Sequence, residues 1–164
     1  MNAALFLDRD GVINVDYGYV YKVSDFKFVD GIFELCRHYK EKNFLIFIIS
    51  NQSGIARGFF EYDDLIILNK WIVEEFSKRE IELSEIYCCP HHPDFTGPCS
   101  CRKPKPGMIL SACKQFDIDL SKSVLIGNNT SDIEAGEAAG VAVNILTVTN
   151  DLSITLNDHG LVNI

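Results

Sequence analysis

The chain has 164 residues, of which 47% are hydrophobic and 23% are charged, and its formal net charge is −8. This length and composition are typical of one globular domain, here residues 1–164, that buries a core without disulfide staples. Because nucleic acids bind basic surfaces, the acidic balance argues against a nucleic-acid partner and leaves small phosphorylated molecules open.

Short apolar runs alternate with helical patterns along the chain. Four runs predict strands buried on both faces of a parallel sheet: "AALFL" (3–7), "FLIFII" (44–49), "SVLI" (123–126) and "VAVNIL" (141–146). Helical spacing predicts helices over 31–42, 61–79 and 106–116, and "IGNNTSDIEAG" (126–136) predicts a strand, a glycine turn and another helix. This order predicts an α/β fold with a three-layer, doubly wound, Rossmann-like parallel sheet. Residues 88–107, rich in Cys, His, Pro and Gly, are expected to form neither helix nor strand.

Polar loops follow three of the predicted strands: "DRDG" (8–11), "SNQSG" (50–54) and "GNNTSD" (127–132). Because the carboxyl ends of parallel strands share one edge of the sheet, these loops are expected to meet where open α/β sheets bind ligands.

The first of these loops places Asp8 and Asp10 two residues apart, so both side chains point the same way in extended chain. Two such carboxylates can bind a hard cation, attack a phosphorus atom and donate a proton. A solvated turn is the alternative, since Asp and Gly are ordinary turn residues. The position directly after a buried N-terminal strand favours the functional interpretation.

Clustered cysteines and histidines in "CCPHHPDFTGPCSCR" (88–102) predict a closed tetrahedral zinc site of structural type. Spacing indicates a C-x-H…C-x-C set and leaves Cys88 and His92 open as ligands. A disulfide is disfavoured, because Cys99 and Cys101 are too close in sequence to pair comfortably and the expected compartment is reducing. That compartment is the cytoplasm, since the sequence has neither a signal-peptide core nor an apolar run of membrane-spanning length. No membrane partner is therefore expected.

Five motifs together resemble one known family. "LDRDGVIN" resembles the D-x-D-x-[TV] signature of the haloacid dehalogenase-like phosphatases. "INVDYGYV", "SNQSGIARG", "CCPHHP" and "CSCRKPKPGM" narrow the resemblance to the D-glycero-D-manno-heptose 1,7-bisphosphate 7-phosphatases, relatives of the histidinol-phosphate phosphatases. The resemblance implies a haloacid dehalogenase-like fold without a large cap, and a Mg²⁺-dependent enzyme whose partner is a small sugar phosphate. Separately, we expect a monomer. It also implies a place in heptose precursor synthesis for surface polysaccharide.

The resemblance also implies roles for individual residues. Asp8 is the implied nucleophile, which forms an aspartyl-phosphate, and Asp10 is the implied general acid and base. The magnesium ligands implied by position are Asp8, Asp10 and Asn128. Implied substrate and phosphate contacts are Asp16, Tyr17, Gly18, Tyr19, Ser50, Asn51, Gln52, Ser53, Arg102 and Lys103. Within the Cys/His loop, the resemblance selects Cys89, His91, Cys99 and Cys101 as zinc ligands.

One position departs from the pattern that the resemblance implies. The family places Asp and often Lys after the glycine of the third polar loop, whereas this chain has Asn128 and Asn129. We expect weakened magnesium binding with activity retained, because an amide oxygen is a hard but uncharged ligand. Two alternatives stay open: a histidinol-phosphate phosphatase, and a phosphosugar-binding protein with little turnover.

Overall fold

The computed structural model describes residues 1–148 and 150–153. Five parallel strands form one sheet in the order β3-β2-β1-β4-β5. The strands are β1 (Ala4–Leu7), β2 (Leu45–Asn51), β3 (Glu85–Cys89), β4 (Val124–Gly127) and β5 (Val143–Leu146). The helices are α1 (Ile32–Glu41), α2 (Tyr62–Ser77), α3 (Pro93–Thr96), α4 (Gly107–Phe116) and α5 (Thr130–Ala139), with 3₁₀ turns at Val23–Asp25 and Leu120–Lys122.

The sheet separates two apolar cores, which confirms the predicted three-layer α/β fold. The core on one face packs strand residues against α1 and α2, with Leu35 and Leu68 fully buried. The core on the other face packs α4 and α5 against the sheet, and there the rings of Phe6 and Phe47 stack with centroids 5.4 Å apart. Because the central strands are covered on both faces, their sequences are continuously apolar.

The register of β1 aligns the polar loops at one edge. Leu7 pairs with Ile48 of β2 and with Ile126 of β4, so β1 and β4 end at nearly the same level and β2 continues beyond them to Asn51. Asp8 is held there by its backbone N–H, which donates to the Ile126 carbonyl at 3.0 Å. The loops after β1, β2 and β4 therefore meet at the carboxyl edge of the sheet, as the sequence predicts.

The prediction of no regular structure in residues 88–107 is wrong at two places. Cys88 and Cys89 belong to β3, and Pro93–Thr96 forms a short helix capped by His92. The run "EIYCC" lacks the apolar signature of the other strands because β3 is an edge strand with Glu85 exposed. The predicted strand at 141–146 begins only at residue 143, and the helix predicted over 61–79 ends at Ser77.

Within the described ranges, every helix is too short or too polar to cross a membrane. The C-terminal residues 154–164, to which the sequence assigns no role, lie outside the described part of the chain.

Candidate active site

A buried lysine joins the three polar loops. The Nζ atom of Lys103 donates to Asp8 Oδ1 at 2.7 Å and to the Ile49 carbonyl at 2.8 Å, and it lies 2.6 Å from Asp132 Oδ1. All three charged side chains are less than one-tenth exposed. The backbone of Lys103 is fixed by Asn51, whose amide both donates to its carbonyl at 3.1 Å and accepts from its N–H at 3.0 Å. Lys103 thus stands in the centre of the site that the sequence assigned to it.

The burial of these charges shifts their acidities. Burial raises the pKa of Asp8 to about 6; the ammonium of Lys103 opposes this rise, and the carboxylate of Asp132 adds to it. Burial acts to lower the pKa of Lys103, but the Asp8 and Asp132 carboxylates outweigh it and keep that pKa above its usual value. At neutral pH, Asp8 is therefore a carboxylate beside a charged ammonium, the form in which it can act as a nucleophile.

Asp10 is oriented by three side-chain donors. Its carboxylate accepts from Arg9 Nη2 at 2.8 Å, from Asn14 Nδ2 at 3.0 Å and from Gln52 Nε2 at 2.8 Å. Arg9 is fully buried and its Nη2 also donates to the Val20 carbonyl at 2.6 Å, so the guanidinium has little freedom to move. This set fixes the Asp10 carboxylate at the wall of the cleft.

The sequence interpretation missed Arg9 and Asn14. An Arg between two acids in a turn would ordinarily point to solvent, and an Asn three residues past a glycine is an ordinary loop residue. The roles of Arg9 and Asn14 can be identified only from the folded structure. In it, Arg9 points inward and donates to the Val20 carbonyl.

Three oxygens at this edge fit a magnesium ion. The carboxamide atom of Asn128 that faces the site lies 3.1 Å from Asp8 Oδ2 and 3.2 Å from the backbone carbonyl oxygen of Asp10. When the amide oxygen of Asn128 occupies that position, it lies next to a carboxylate oxygen of Asp8 and the carbonyl oxygen of Asp10. Neighbouring oxygens in an octahedral magnesium shell are also roughly 3 Å apart. The donor set therefore suits a hard divalent cation.

A cleft of about 300 Å³ opens above Asp8 and Asp10, while Asn128 lines a separate depression beside Gly11. The lining of the cleft includes most of the residues that the sequence assigned to substrate or phosphate, namely Asp16, Gly18, Tyr19, Asn51, Gln52, Ser53 and Lys103. Gly54, Asn129, Ser131 and Asp132 also line it and were not assigned.

Three assigned residues lie away from the cleft surface. Ser50 is 1% exposed and lies beneath the floor, where its Oγ accepts from Gln52 Nε2 at 2.7 Å. Tyr17 lines a neighbouring depression, and Arg102 donates from Nη1 to the His91 carbonyl at 3.2 Å. The cleft therefore brings together seven of the ten residues assigned to substrate or phosphate, and Ser50, Tyr17 and Arg102 lie outside its lining.

The Cys/His loop forms a compact four-ligand cluster. One ligand atom each from Cys89, His91, Cys99 and Cys101 lies within 4.8 Å of the other three, so the cluster could bind a metal ion. The Cys89 and Cys101 sulfurs are 2.7 Å apart, which exceeds the roughly 2.05 Å of a disulfide bond.

Neighbouring candidates for the cluster face elsewhere. Cys88 accepts from Asn69 Nδ2 at 3.6 Å, and His92 Nε2 contacts Arg57 Nη2 at 3.0 Å. The alternatives that spacing left open are thereby separated from the four residues that the resemblance selected.

Comparison with known proteins places the chain among sugar-phosphate phosphatases. A HAD-hydrolase-like family model matches residues 100–151. The chain is 52% identical to the D-glycero-alpha-D-manno-heptose-1,7-bisphosphate 7-phosphatase of Campylobacter jejuni over 143 residues, which are 87% of this chain and 81% of that protein. It is 42% identical to the D-glycero-beta-D-manno-heptose-1,7-bisphosphate 7-phosphatase of Haemophilus influenzae, over 91% of this chain and 83% of that protein.

A solved structure agrees with this placement. The D,D-heptose 1,7-bisphosphate phosphatase of B. bronchiseptica, in complex with magnesium and phosphate, superposes with a TM-score of 0.80 at 28% identity. The match covers 96% of this chain and 87% of that chain.

The raised pKa of Asp8 predicts a pH-dependent effect of Asp8→Asn on stability. Without divalent cations, ionised Asp8 opposes folding above pH 6, since its folded pKa of about 6 exceeds the reference value of 3.8. The variant should therefore have a higher Tm at pH 8. The gain should shrink as the pH falls through 6 and disappear below about 3.8. Calorimetric scans from pH 3.5 to 8 measure the difference in Tm between the variant and the native protein.

Asp119→Asn is the control of opposite sign. Hydrogen bonds from Ser121 and Lys122 lower the pKa of exposed Asp119, so its replacement should lower Tm slightly near neutral pH. A Tm difference for Asp8→Asn that stays constant between pH 4 and 8 would contradict the assigned cause.

Proposed function

Because the chain belongs to the family of D-glycero-D-manno-heptose-1,7-bisphosphate 7-phosphatases, within the haloacid dehalogenase-like hydrolases, we propose that it removes the 7-phosphate from a heptose 1,7-bisphosphate. The product, a heptose 1-phosphate, serves the synthesis of heptose precursors for lipopolysaccharide or related surface polysaccharide. The observation that supports this most directly is a buried Asp8 carboxylate, paired with Lys103 and facing a cleft that Asp10 also lines.

The proposed first step is attack of an Asp8 oxygen on the phosphorus of the 7-phosphate. A new bond joins Asp8 to phosphorus, the bond from phosphorus to the sugar oxygen breaks, and Asp10 gives that oxygen a proton. In the second step Asp10 takes a proton from water, the water oxygen attacks phosphorus, and the bond to Asp8 breaks with release of phosphate. The positive charge of Lys103, held beside Asp8, offsets the negative charge of the phosphoryl group throughout.

Magnesium is the proposed catalytic ion. Asp8 Oδ2, the Asp10 carbonyl and the Asn128 amide oxygen would bind it, and Mg²⁺ supplies positive charge against the phosphoryl oxygens when bound. Asn128 brings no charge of its own, which supports weak binding. Asp132, whose Oδ2 accepts from the backbone N–H of Asn128 at 3.1 Å, provides a carboxylate behind it.

The remaining assignments concern the substrate. Asn51, Gln52 and Ser53 approach phosphate from the loop after β2, with Ser50 supporting Gln52 from below. Asp16, Gly18 and Tyr19 contact the rest of the sugar bisphosphate in the cleft, and Tyr17 and Arg102 contact the part of it that extends beyond the cleft. One chain supplies every assigned residue, so we propose a monomer with a single phosphatase domain.

We assign zinc to the Cys/His cluster as a structural ion. Three sulfurs and one imidazole nitrogen would supply all four ligands of a structural zinc site. The backbone N–H of Arg102 lies 3.4 Å from Cys99 Sγ, so an ordered cluster fixes Arg102 and its neighbour Lys103. Reduced thiols and a phosphorylated metabolite both suit the cytoplasm, the proposed location.

Phosphate release from a panel of esters tests the function. The panel contains both anomers of heptose 1,7-bisphosphate, histidinol phosphate and a heptose 7-monophosphate, each with Mg²⁺ added. We expect the highest kcat/KM for one heptose bisphosphate and no turnover by Asp8→Asn. Preference for histidinol phosphate would replace the proposed substrate. Binding without turnover would favour a phosphosugar-binding protein.

Asp10→Asn tests the proton donor through the leaving group. General acid catalysis is typically worth about 10²–10⁴-fold, so sugar phosphates should slow by a factor in that range. A nitrophenyl phosphate should be affected far less in its first step, because its leaving group needs no proton. Single-turnover rates isolate that step. Equal loss with both substrates would contradict the role.

Metal analysis tests the zinc assignment. Protein purified without a metal-binding tag should contain close to one zinc per chain. Cys99→Ser should reduce both zinc content and Tm, since metal binding is coupled to folding. Cys113→Ser, which changes a cysteine outside the cluster, should keep the zinc. Native protein that is fully stable and free of zinc would refute the assignment.

A further inference from the structure

The Asn128 carboxamide has two chemically opposite ends of almost equal size. With its oxygen toward Asp8 Oδ2 and the Asp10 carbonyl, it completes three oxygens for a cation. With its nitrogen there, it donates to these same two oxygens, at 3.1 and 3.2 Å. The two orientations leave all heavy atoms in place, and only one of them can accept a divalent cation.

Packing does not select between the orientations. The other end of the carboxamide lies against Gly11, where an added Cβ would be 1.9 Å from Asn128 Nδ2. Because Gly11 has no side chain, there is room at that position for either the oxygen or the nitrogen of the carboxamide. Three groups at the end that faces the site therefore bear on the choice: Asp8 Oδ2 and the Asp10 carbonyl accept from a nitrogen there, whereas the Asn129 amide donates to an oxygen there.

The start of α5 fixes the orientation of Asn129. Asn129 is the N-cap residue and has capping-box geometry with Asp132, whose backbone N–H donates to the Asn129 carbonyl at 3.0 Å. In return, Asp132 Oδ2 accepts from the Asn129 N–H at 3.0 Å. The capping-box geometry directs the side-chain oxygen of Asn129 toward the first turn of α5, so its NH₂ group faces Asn128 and donates to Oδ1 at 2.9 Å.

We propose that Asn129 is a positioning residue for the divalent cation. Its amide donates to the Asn128 oxygen and keeps that oxygen, rather than the nitrogen, directed at Asp8 and Asp10. The inference rests on the magnesium site proposed above and extends it to a residue that touches neither the reacting atoms nor the ion. An uncharged ligand is thus given a defined orientation by the helix cap behind it.

Asn129→Asp separates this role from simple electrostatics. Aspartate caps a helix as well as asparagine does, so the fold should be retained. The new carboxylate adds negative charge near the cation, which by itself would tighten magnesium binding. It also removes the NH₂ donor and presents only acceptors, so Asn128 should turn its nitrogen toward Asp8 and Asp10 and bond to them. If Asn129 positions the Asn128 oxygen, the substitution should therefore weaken Mg²⁺ binding and raise the Kd for Mg²⁺ about 10- to 100-fold.

Asn128→Asp provides the matched background, because a carboxylate has no amide end to turn. Adding Asn129→Asp to Asn128→Asp should leave the Mg²⁺ Kd unchanged or lower it. The four proteins form a double-mutant cycle. Calorimetric titration with Mg²⁺ alone, without substrate, gives each Kd, and the Mg²⁺-induced rise in Tm gives a second readout.

The expected result is weaker Mg²⁺ binding by Asn129→Asp in the native background only. Tighter or unchanged binding there would overturn the inference, as would an equal loss in both backgrounds. Native protein that shows no Mg²⁺ binding would overturn the metal placement and this inference with it. Neither result depends on turnover, so failure of the proposed phosphatase activity in the substrate panel remains a separate outcome.

Discussion

The ammonium of Lys103, buried between the carboxylates of Asp8 and Asp132, is the interaction on which the site depends. It connects the end of β1, the start of α5 and, through the Ile49 carbonyl, the end of β2. A buried ion is costly unless it is paired and hydrogen-bonded, and here three acceptors surround one ammonium. Two carboxylates around a single cation leave negative charge in excess, so the site electrostatically favours a further cation at its open side.

The Cys/His loop determines where that lysine stands. Lys103 lies on an irregular segment, and irregular backbone has few hydrogen bonds of its own to fix it. Two kinds of contact compensate: Arg102 contacts the cluster through Cys99 and the His91 carbonyl, and Asn51 makes both backbone hydrogen bonds of Lys103. A loop outside the sheet is therefore tied to the catalytic edge from both sides, which explains why a structural metal would affect chemistry it never touches.

The backbone of the turn after β4 also helps to position the partners of Lys103. Gly127 has no side chain, and a Cβ there would lie 2.2 Å from the Cβ of Asp132. Only glycine allows Asp132 to fold back over the turn, where its Oδ2 accepts from the N–H groups of Asn128 and Asn129. One carboxylate thus caps α5 with one oxygen and pairs with Lys103 through the other.

The sequence by itself determined four of the five strands, the edge where ligands meet and the residues that follow β1, β2 and β4. Those features are local: continuous apolar runs specify buried strands, and a strand end fixes the place of the residue that follows it. Asp8 and Asp10 were identified on that basis, whereas the role of Lys103 and the choice of the four cluster ligands came from the family resemblance. The edge strand β3 escaped prediction because its single buried residue, Cys89, gives no periodic pattern.

Only the tertiary structure decided which neighbours complete each group. Arg9 pairs with Asp10 because the chain around Val20 supplies an acceptor for its guanidinium, and no spacing rule encodes that contact. Ser50 is under the floor, not on it, because Gln52 covers it. Hydrogen bonds between residues far apart in sequence depend on the packing of whole elements, so their partners, and the orientation of an amide such as Asn128, appear only when the chain is folded.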